Sequence, residues 1–209
     1  MKREGVFAHW PNRITALRFC GALALFAILA VWGEDQDNVA ETSRNPVAMQ
    51  VAFWLFLATS LSDILDGWLA RRGNLITAFG RVADPFVDKV LVLGSMIFLV
   101  VMPWSRAMFP AWVVVVILAR EFLVTGLRGY VESVGGEFPA DWFGKVKMAL
   151  QCWAIGIAIG LAAIEFPPGF ERVCWVVGVW CVWATLIASV GSGLSYVFKT
   201  RKVLMEISA

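Results

Sequence analysis

Residues 63–88 read DILDGWLARRGNLITAFGRVADPFVD and hold four aspartates beside two apolar runs, 47–61 and 85–102. The aspartates form two pairs, Asp63 with Asp66 and Asp84 with Asp88. The first pair is spaced i, i+3 and the second i, i+4, so each pair would share one face of a helix. A short polar bend is predicted between the pairs, made of Gly67, Ala70, Arg71, Arg72, Gly73, Asn74, Thr77 and Gly80.

Two helices that meet at such a bend could direct all four carboxylates into one pocket. Four close carboxylates cannot all stay ionised unless a positive charge neutralises them. An oxygen-only ligand set favours Mg²⁺ or Mn²⁺ over zinc or copper, and four aspartates could hold two such ions. The alternative is that the carboxylates only cap two membrane helices. That alternative explains one aspartate well and four at this spacing poorly.

The composition is that of a membrane protein. Hydrophobic residues make up 59% of the 209 positions, the mean hydropathy is +0.72, and there are 11 tryptophans. The net charge of +2 gives no basic field of the kind that binds nucleic acid. The single histidine, His9, leaves little room for His-based catalysis, and the four cysteines lack the spacing of metal ligands or of a CxxC motif.

The apolar runs predict an all-α bundle of six transmembrane helices in a single domain, 1–209, preceded by an interfacial segment at residues 1–13. The predicted spans are 14–32, 47–70, 85–102, 110–130, 143–164 and 172–198. The basic start followed by an apolar run imitates a signal peptide, but the acidic residues after Trp32 favour a retained first helix.

The lysines and arginines predict the orientation of these spans. Of the 18 in the chain, only Arg44, Arg106 and Arg172 fall on one side, which leaves 15 on the other. This asymmetry places both termini and the aspartate cluster on the cytoplasmic side of a bacterial inner or cell membrane.

The aspartate stretch resembles the CDP-alcohol phosphatidyltransferase family. It matches the signature D-x2-D-G-x2-A-R-x8-G-x3-D-x3-D at every fixed position, namely Asp63, Asp66, Gly67, Ala70, Arg71, Gly80, Asp84 and Asp88. The resemblance implies transfer of a phosphatidyl group from a CDP-linked lipid to an alcohol, with release of CMP. It also implies that Asp63, Asp66 and Asp84 hold one ion, that Asp63, Asp84 and Asp88 hold the other, and that Asp88 is the general base.

The same resemblance implies a binding site for the CDP-lipid. Gly67 and Ala70 carry no bulky side chain and would let the nucleotide approach closely, and Gly80 is assigned to the same site. Close helix packing explains a single small residue in a membrane equally well, but the fixed register of these residues with the aspartates favours the nucleotide site. Arg71 and Thr77 would contact the diphosphate. Asn12 follows a proline at the entry to the first helix and would contact the nucleotide.

The acceptor site is expected outside the signature. Four cations lie near the cytoplasmic ends of spans four and five, namely Arg120, Arg128, Lys145 and Lys147. Such a cluster fits an anionic acceptor such as a glycerol or sugar phosphate. Contact with anionic lipid headgroups is an equally good explanation for any one of them.

The outer motifs are similar to those of phosphatidylglycerophosphate synthases, which implies CDP-diacylglycerol and sn-glycerol 3-phosphate as substrates and a homodimer formed through spans three and four. These motifs are Pro11-Asn12-x-x-Thr15-x-x-Arg18, Asp84-Pro85-x-x-Asp88-Lys89, Arg120-Glu121-x6-Arg128 and Gly144-Lys145-x-Lys147 with Gln151. Met148, where that group usually has threonine, and the acidic loop 33–46 depart from the pattern.

Two kinds of alternative function remain open. The same chemistry could use inositol phosphate, phosphatidylglycerol or serine as the acceptor, or the chain could be a divalent-cation transporter.

Overall fold

The computed structural model describes residues 10–33, 45–73, 78–135 and 142–207, and within these ranges the chain is helical with no strand. The helices in chain order are α1 (Trp10–Trp32), α2 (Pro46–Gly73), α3 (Ala78–Val101), α4 (Ala111–Ser133), α5 (Trp142–Ala163) and α6 (Pro168–Ile207). The predicted all-α architecture and the order of its helices are confirmed.

Local sequence explains where several helices begin and end. The side-chain oxygen of Asn45 accepts hydrogen bonds from the backbone N–H groups of Val47 and Ala48, which caps the start of α2. Proline stands at the first position of both α2 and α6, where a helix needs no N–H donor. Gly135 follows α4 with a φ of +82°, a left-handed conformation that glycine adopts without strain.

The helices extend beyond the predicted membrane spans, so the spans do not mark the helix ends. Residues 10–13 of the predicted interfacial segment are helical and belong to α1, and its other residues, 1–9, lie outside the described residues. Most of the predicted bend is also helical, because α2 continues to Gly73 and α3 begins at Ala78. Backbone hydrogen bonds continue a helix through polar residues, so hydropathy alone gives its membrane-spanning part and not its ends.

The bundle is held together by buried apolar side chains from all six helices, with exposures of 1% or less at Leu25, Phe56, Leu99, Ile117, Ile155 and Val182. Close approach between helices occurs where one of them has glycine. A Cβ at Gly94 of α3 would lie 2.2 Å from Phe26 Cζ of α1. The absence of a side chain at that position therefore sets the distance between the two helices.

The contacts between helices fix their relative directions. Along α1, Arg18 contacts Asp88 and Phe26 stacks on Phe98, so α1 and α3 run parallel. Trp112 contacts Trp183 and Arg120 contacts Ser192, so α4 and α6 also run parallel. Both pairs are parallel, as expected when each helix runs antiparallel to the one before it in the chain.

Three described helical segments are long and apolar enough to cross a membrane: Asn12–Trp32, Gly144–Ala163 and Pro168–Thr200. A shorter apolar segment, Pro46–Ser62, precedes the first aspartate pair. The structure therefore has the helices of a membrane protein. Six membrane crossings remain a prediction.

Candidate active site

One face of α1 is polar, buried and directed at the second aspartate pair. Asn12, Thr15 and Arg18 have exposures of 1–2%. Thr15 Oγ1 donates a hydrogen bond to Asp84 Oδ1 at 2.5 Å, and Arg18 Nη1 donates one to Asp88 Oδ1 at 2.5 Å. Because these partners come from another helix, α1 fixes both carboxylates in place.

The environment of Asp84 and Asp88 suits a hard divalent cation. Both residues are partly exposed, and they lie one helical turn apart on α3. The Arg18 side chain is fully buried, whereas that of Asp88 is 19% exposed, so the ion pair does not close this carboxylate off from a ligand. Paired carboxylate oxygens on one helical face are a donor set that fits Mg²⁺ or Mn²⁺.

The first aspartate pair and most of the predicted CDP-lipid residues are only partly described. The backbone of Asp63, Asp66, Gly67, Ala70 and Arg71 forms the last turns of α2, but the side chains lie outside the described part, as does the whole of Thr77. Among the described side chains, no three of His, Cys, Asp or Glu come together. The four-aspartate ligand set therefore stays a prediction.

Two further predicted CDP-lipid residues are located by the structure. Asn12 lies in the first turn of α1 and is 1% exposed. Gly80 is buried in the first turn of α3. Both lie at the end of the bundle that carries Asp84 and Asp88, and their contact with the CDP-lipid stays a prediction.

A cavity of about 630 Å³ opens beside Asp88 between α3, α4, α5 and α6. All four predicted acceptor residues line it, together with Asp88 itself. Asp88, which was predicted to act as the base, and the four cations, which were predicted to bind the acceptor, thus face the same cavity. The other lining residues include Pro85, Lys89, Glu121, Thr125, Glu132, Met148, Gln151 and Tyr196.

Two of the four cations are already paired inside the protein. Glu121 Oε1 accepts hydrogen bonds from Arg120 Nη1, at 2.7 Å, and from Lys147 Nζ. Arg120 also donates to the Ser189 carbonyl oxygen at 3.2 Å and to Ser192 Oγ at 2.7 Å. All three charged groups of this cluster are less than a tenth exposed. Arg120 and Lys147 therefore form a fixed wall of the cavity.

The remaining cations are more accessible. Arg128 is exposed, and its Nη2 donates a hydrogen bond to the Tyr196 hydroxyl oxygen at 2.9 Å. Lys145 is also exposed. Lys89, the residue after Asp88, lines the cavity and donates to Thr125 Oγ1. These three side chains are better placed than Arg120 and Lys147 to meet an anion that enters from solvent.

The sequence motifs predicted no site role for Thr15, Arg18, Lys89, Glu121 or Tyr196. A detectable signal was the spacing of polar residues within apolar helices. In α1 the polar positions 12, 15 and 18 share a face, and in α6 the hydroxyl residues share another, at Thr185, Ser189, Ser192, Tyr196 and Thr200. A polar stripe on a membrane helix marks the side that faces the protein interior or a water-filled cavity.

Comparison with known proteins gives a consistent assignment. The family model described as CDP-alcohol phosphatidyltransferase matches residues 8–191. A protein of Bacillus subtilis (strain 168), named CDP-diacylglycerol--glycerol-3-phosphate 3-phosphatidyltransferase, is 35% identical over 195 residues, which cover 93% of this chain and 96% of that protein.

Other bacterial relatives carry related names. A Rickettsia felis protein of the same name is 33% identical over 76% of this chain and 83% of its own length. A Mycobacterium tuberculosis protein named probable phosphatidylglycerophosphate synthase is 35% identical over 73% of this chain and 66% of its own. The similarity thus extends over most of the chain and well beyond the aspartate stretch.

Proposed function

Since the chain belongs to the CDP-alcohol phosphatidyltransferase family, we propose that it transfers the phosphatidyl group of CDP-diacylglycerol to sn-glycerol 3-phosphate, giving phosphatidylglycerol phosphate and CMP. One observation supports this proposal independently of family membership. The aspartate expected to act as base and the cations expected to bind the acceptor line a single cavity. A phosphate held by those cations would keep the acceptor hydroxyl within that cavity, beside Asp88.

The reaction requires one bond to form and one to break. A hydroxyl oxygen of the acceptor attacks the β-phosphorus, the bond from that phosphorus to the bridging oxygen breaks, and CMP leaves. The hydroxyl proton passes to Asp88, whose position on α3 is fixed by Arg18. Holding the acceptor phosphate in the same cavity makes the attack effectively intramolecular, which lowers the barrier.

We propose that Asp63, Asp66, Asp84 and Asp88 hold two Mg²⁺ or Mn²⁺ ions. When bound, such ions would neutralise charge on the diphosphate. The chain's own contribution at Asp84 is the hydrogen bond from Thr15, which orients the carboxylate. For the CDP-lipid we propose contacts from Asn12, Gly67, Ala70, Arg71, Thr77 and Gly80.

The acceptor residues divide by their surroundings. Arg120 and Lys147 are fixed by Glu121 and supply a positive wall, whereas Arg128 and Lys145 are exposed. We assign phosphate binding mainly to Arg128 and Lys145. A guanidinium group can offer two parallel N–H donors to a phosphate, which gives both affinity and orientation.

We further propose that the single domain spans the membrane six times, with the site and both termini on the cytoplasmic side. The alternating helix directions support this, because they bring the start of α1, α3 and α5 and the end of α2, α4 and α6 to one end of the bundle. That end holds the cavity. A homodimer formed through α3 and α4 is part of the same proposal.

Another acceptor remains the main alternative. Inositol phosphate would suit the same cations, whereas uncharged inositol and zwitterionic serine make less use of them. Phosphatidylglycerol is an anionic lipid and would have to reach the cavity from the bilayer. Membership of a transferase family argues against the divalent-cation transporter.

The test is CMP release by purified protein in detergent with CDP-diacylglycerol and Mg²⁺, with one acceptor in each tube. The acceptors are glycerol 3-phosphate, inositol, inositol phosphate, serine and phosphatidylglycerol, and a tube without acceptor gives the background. We expect CMP only with glycerol 3-phosphate. Release with another acceptor would keep the chemistry and overturn the acceptor. No release in any tube, with Mn²⁺ also tried, would contradict the transferase itself.

A further inference from the structure

Tyr196 of α6 lies beside three cations, and two of them, Arg120 and Arg128, line the acceptor cavity. Its side chain lines the cavity, yet the residue is only 3% exposed. The Cζ atoms of Arg120 and Arg128 lie 5.9 and 5.7 Å from its ring centroid, and Lys199 Nζ lies 6.0 Å away. These distances fall within the range in which an aromatic ring attracts a cation.

The contact with Arg128 is the more specific one. The Tyr196 hydroxyl accepts a hydrogen bond of 2.9 Å from Arg128 Nη2, and the guanidinium group also lies near the ring. Arg120 differs, because Glu121, Ser189 and Ser192 already fix its guanidinium group. An exposed arginine has many rotamers of similar energy, so a hydrogen bond that selects one of them reduces the entropy lost when a ligand binds.

We propose that Tyr196 is the positioning residue that directs Arg128 into the acceptor cavity and so sets the affinity for a phosphomonoester acceptor. This inference rests on the proposed function, because it assigns Arg128 to the acceptor phosphate. Tyr196 acts through Arg128. Its removal therefore affects acceptor binding and leaves the CDP-lipid site and the Asp88 carboxylate as they are.

The experiment compares Tyr196→Phe with a matched control, Tyr130→Phe. Tyr130 is the only other tyrosine in the chain, is 52% exposed and is not among the cavity-lining residues. Each variant loses one hydroxyl and keeps its ring, so the fold should survive. We expect Tyr196→Phe to raise the KM for glycerol 3-phosphate about tenfold, as expected for a lost hydrogen bond to a charged group. The KM for CDP-diacylglycerol, the kcat and all constants of Tyr130→Phe should change less than twofold.

A double-mutant cycle with Arg128→Ala separates positioning from general support of the fold. Once Arg128 is removed, adding Tyr196→Phe should not raise the acceptor KM further, because the hydroxyl has lost the group through which it acts. An unchanged acceptor KM in Tyr196→Phe would overturn the proposal. Equal rises for both substrates, or additive effects in the cycle, would also overturn it. Wild-type protein without turnover on glycerol 3-phosphate would instead contradict the proposed function.

Discussion

At the scale of single residues, the polar groups around the cavity divide by whether the protein already satisfies them. Arg18, Arg120 and Lys147 are buried and ion-paired to carboxylates, so their energetic role is to hold those carboxylates and each other in place. Arg128 and Lys145 are exposed and available to a ligand. A substitution in the first group should therefore change stability or geometry, and one in the second should change acceptor affinity.

Asp88 belongs to the reacting groups, and Asp88→Asn should lower kcat at least 100-fold, about the contribution of a general base. The variant should still fold, with a lower Tm, because the asparagine carbonyl oxygen can accept the Arg18 hydrogen bond but no longer balances the charge of that buried side chain. CMP release and thermal unfolding in detergent measure the two effects. Glu171→Gln, an exposed carboxylate at the start of α6, is the control and should retain full turnover. Wild-type turnover in Asp88→Asn would remove this residue from the mechanism.

Glu121 is the shared partner of two buried cations, and Glu121→Gln should destabilise the protein. The change removes the negative charge that balances Arg120 and Lys147, and leaving a buried charge uncompensated costs roughly 3 kcal/mol. We expect a Tm several degrees below that of wild type.

Two further variants make this test specific. Glu132→Gln neutralises an exposed glutamate of the same helix and should leave the Tm unchanged. Adding Lys147→Met to Glu121→Gln removes one of the unbalanced cations and should recover part of the lost stability. A double variant less stable than Glu121→Gln would show that the ion pairs are not the cause.

At the scale of helices, the site depends on how closely α1 approaches α3. A Cβ added at Gly94 would lie 2.2 Å from Phe26 Cζ, and that ring stacks on Phe98 with centroids 5.5 Å apart. Gly94→Ala should therefore push the helices apart and cost about 1–3 kcal/mol, seen as a lower Tm. Turnover should fall as well, because the same helix pair carries the hydrogen bond from Thr15 to Asp84.

The control for Gly94→Ala is Gly191→Ala in α6. Gly191 is exposed, and a Cβ there meets no atom within 4 Å. Alanine favours a helix more than glycine does, so this variant should be as stable as wild type or slightly more so. Equal Tm values for both alanine variants would mean that the packing of Phe26 does not limit the approach of α1.

The sequence predicted the helices far better than it predicted their contacts. Apolar runs separated by polar breaks gave the number and order of the helices, because burial in lipid or protein requires those runs. The pairing of Arg128 with Tyr196 joins residues 68 positions apart, and that of Lys147 with Glu121 joins residues 26 apart. Such contacts depend on helix rotation and crossing, which one sequence does not specify. The charged residues that line the cavity could therefore be predicted from the sequence, but not which of them contact one another.

At the scale of the whole molecule, charge and helix length together predict the orientation in the membrane. The 40-residue α6 would be about 60 Å long, twice the thickness of the hydrocarbon core of a bilayer. Its first turns carry Arg172, one of the three cations assigned to the outer side, and its last turns carry Lys199. The cavity lies at the Lys199 end, where Tyr196 contacts Arg128. The site should therefore face the cytoplasm.

Cysteine labelling tests this orientation. Positions 171 and 199 are both exposed and are separated by 28 residues (199 − 171), or about 42 Å of helix, so they should lie on opposite sides of the membrane. Glu171→Cys and Lys199→Cys are placed singly in a background in which the four native cysteines are alanine, and intact bacterial cells receive a membrane-impermeant maleimide. We expect position 171 to react at once and position 199 only after permeabilisation. The reverse pattern would place the cavity on the outer side of the membrane and overturn the proposed orientation.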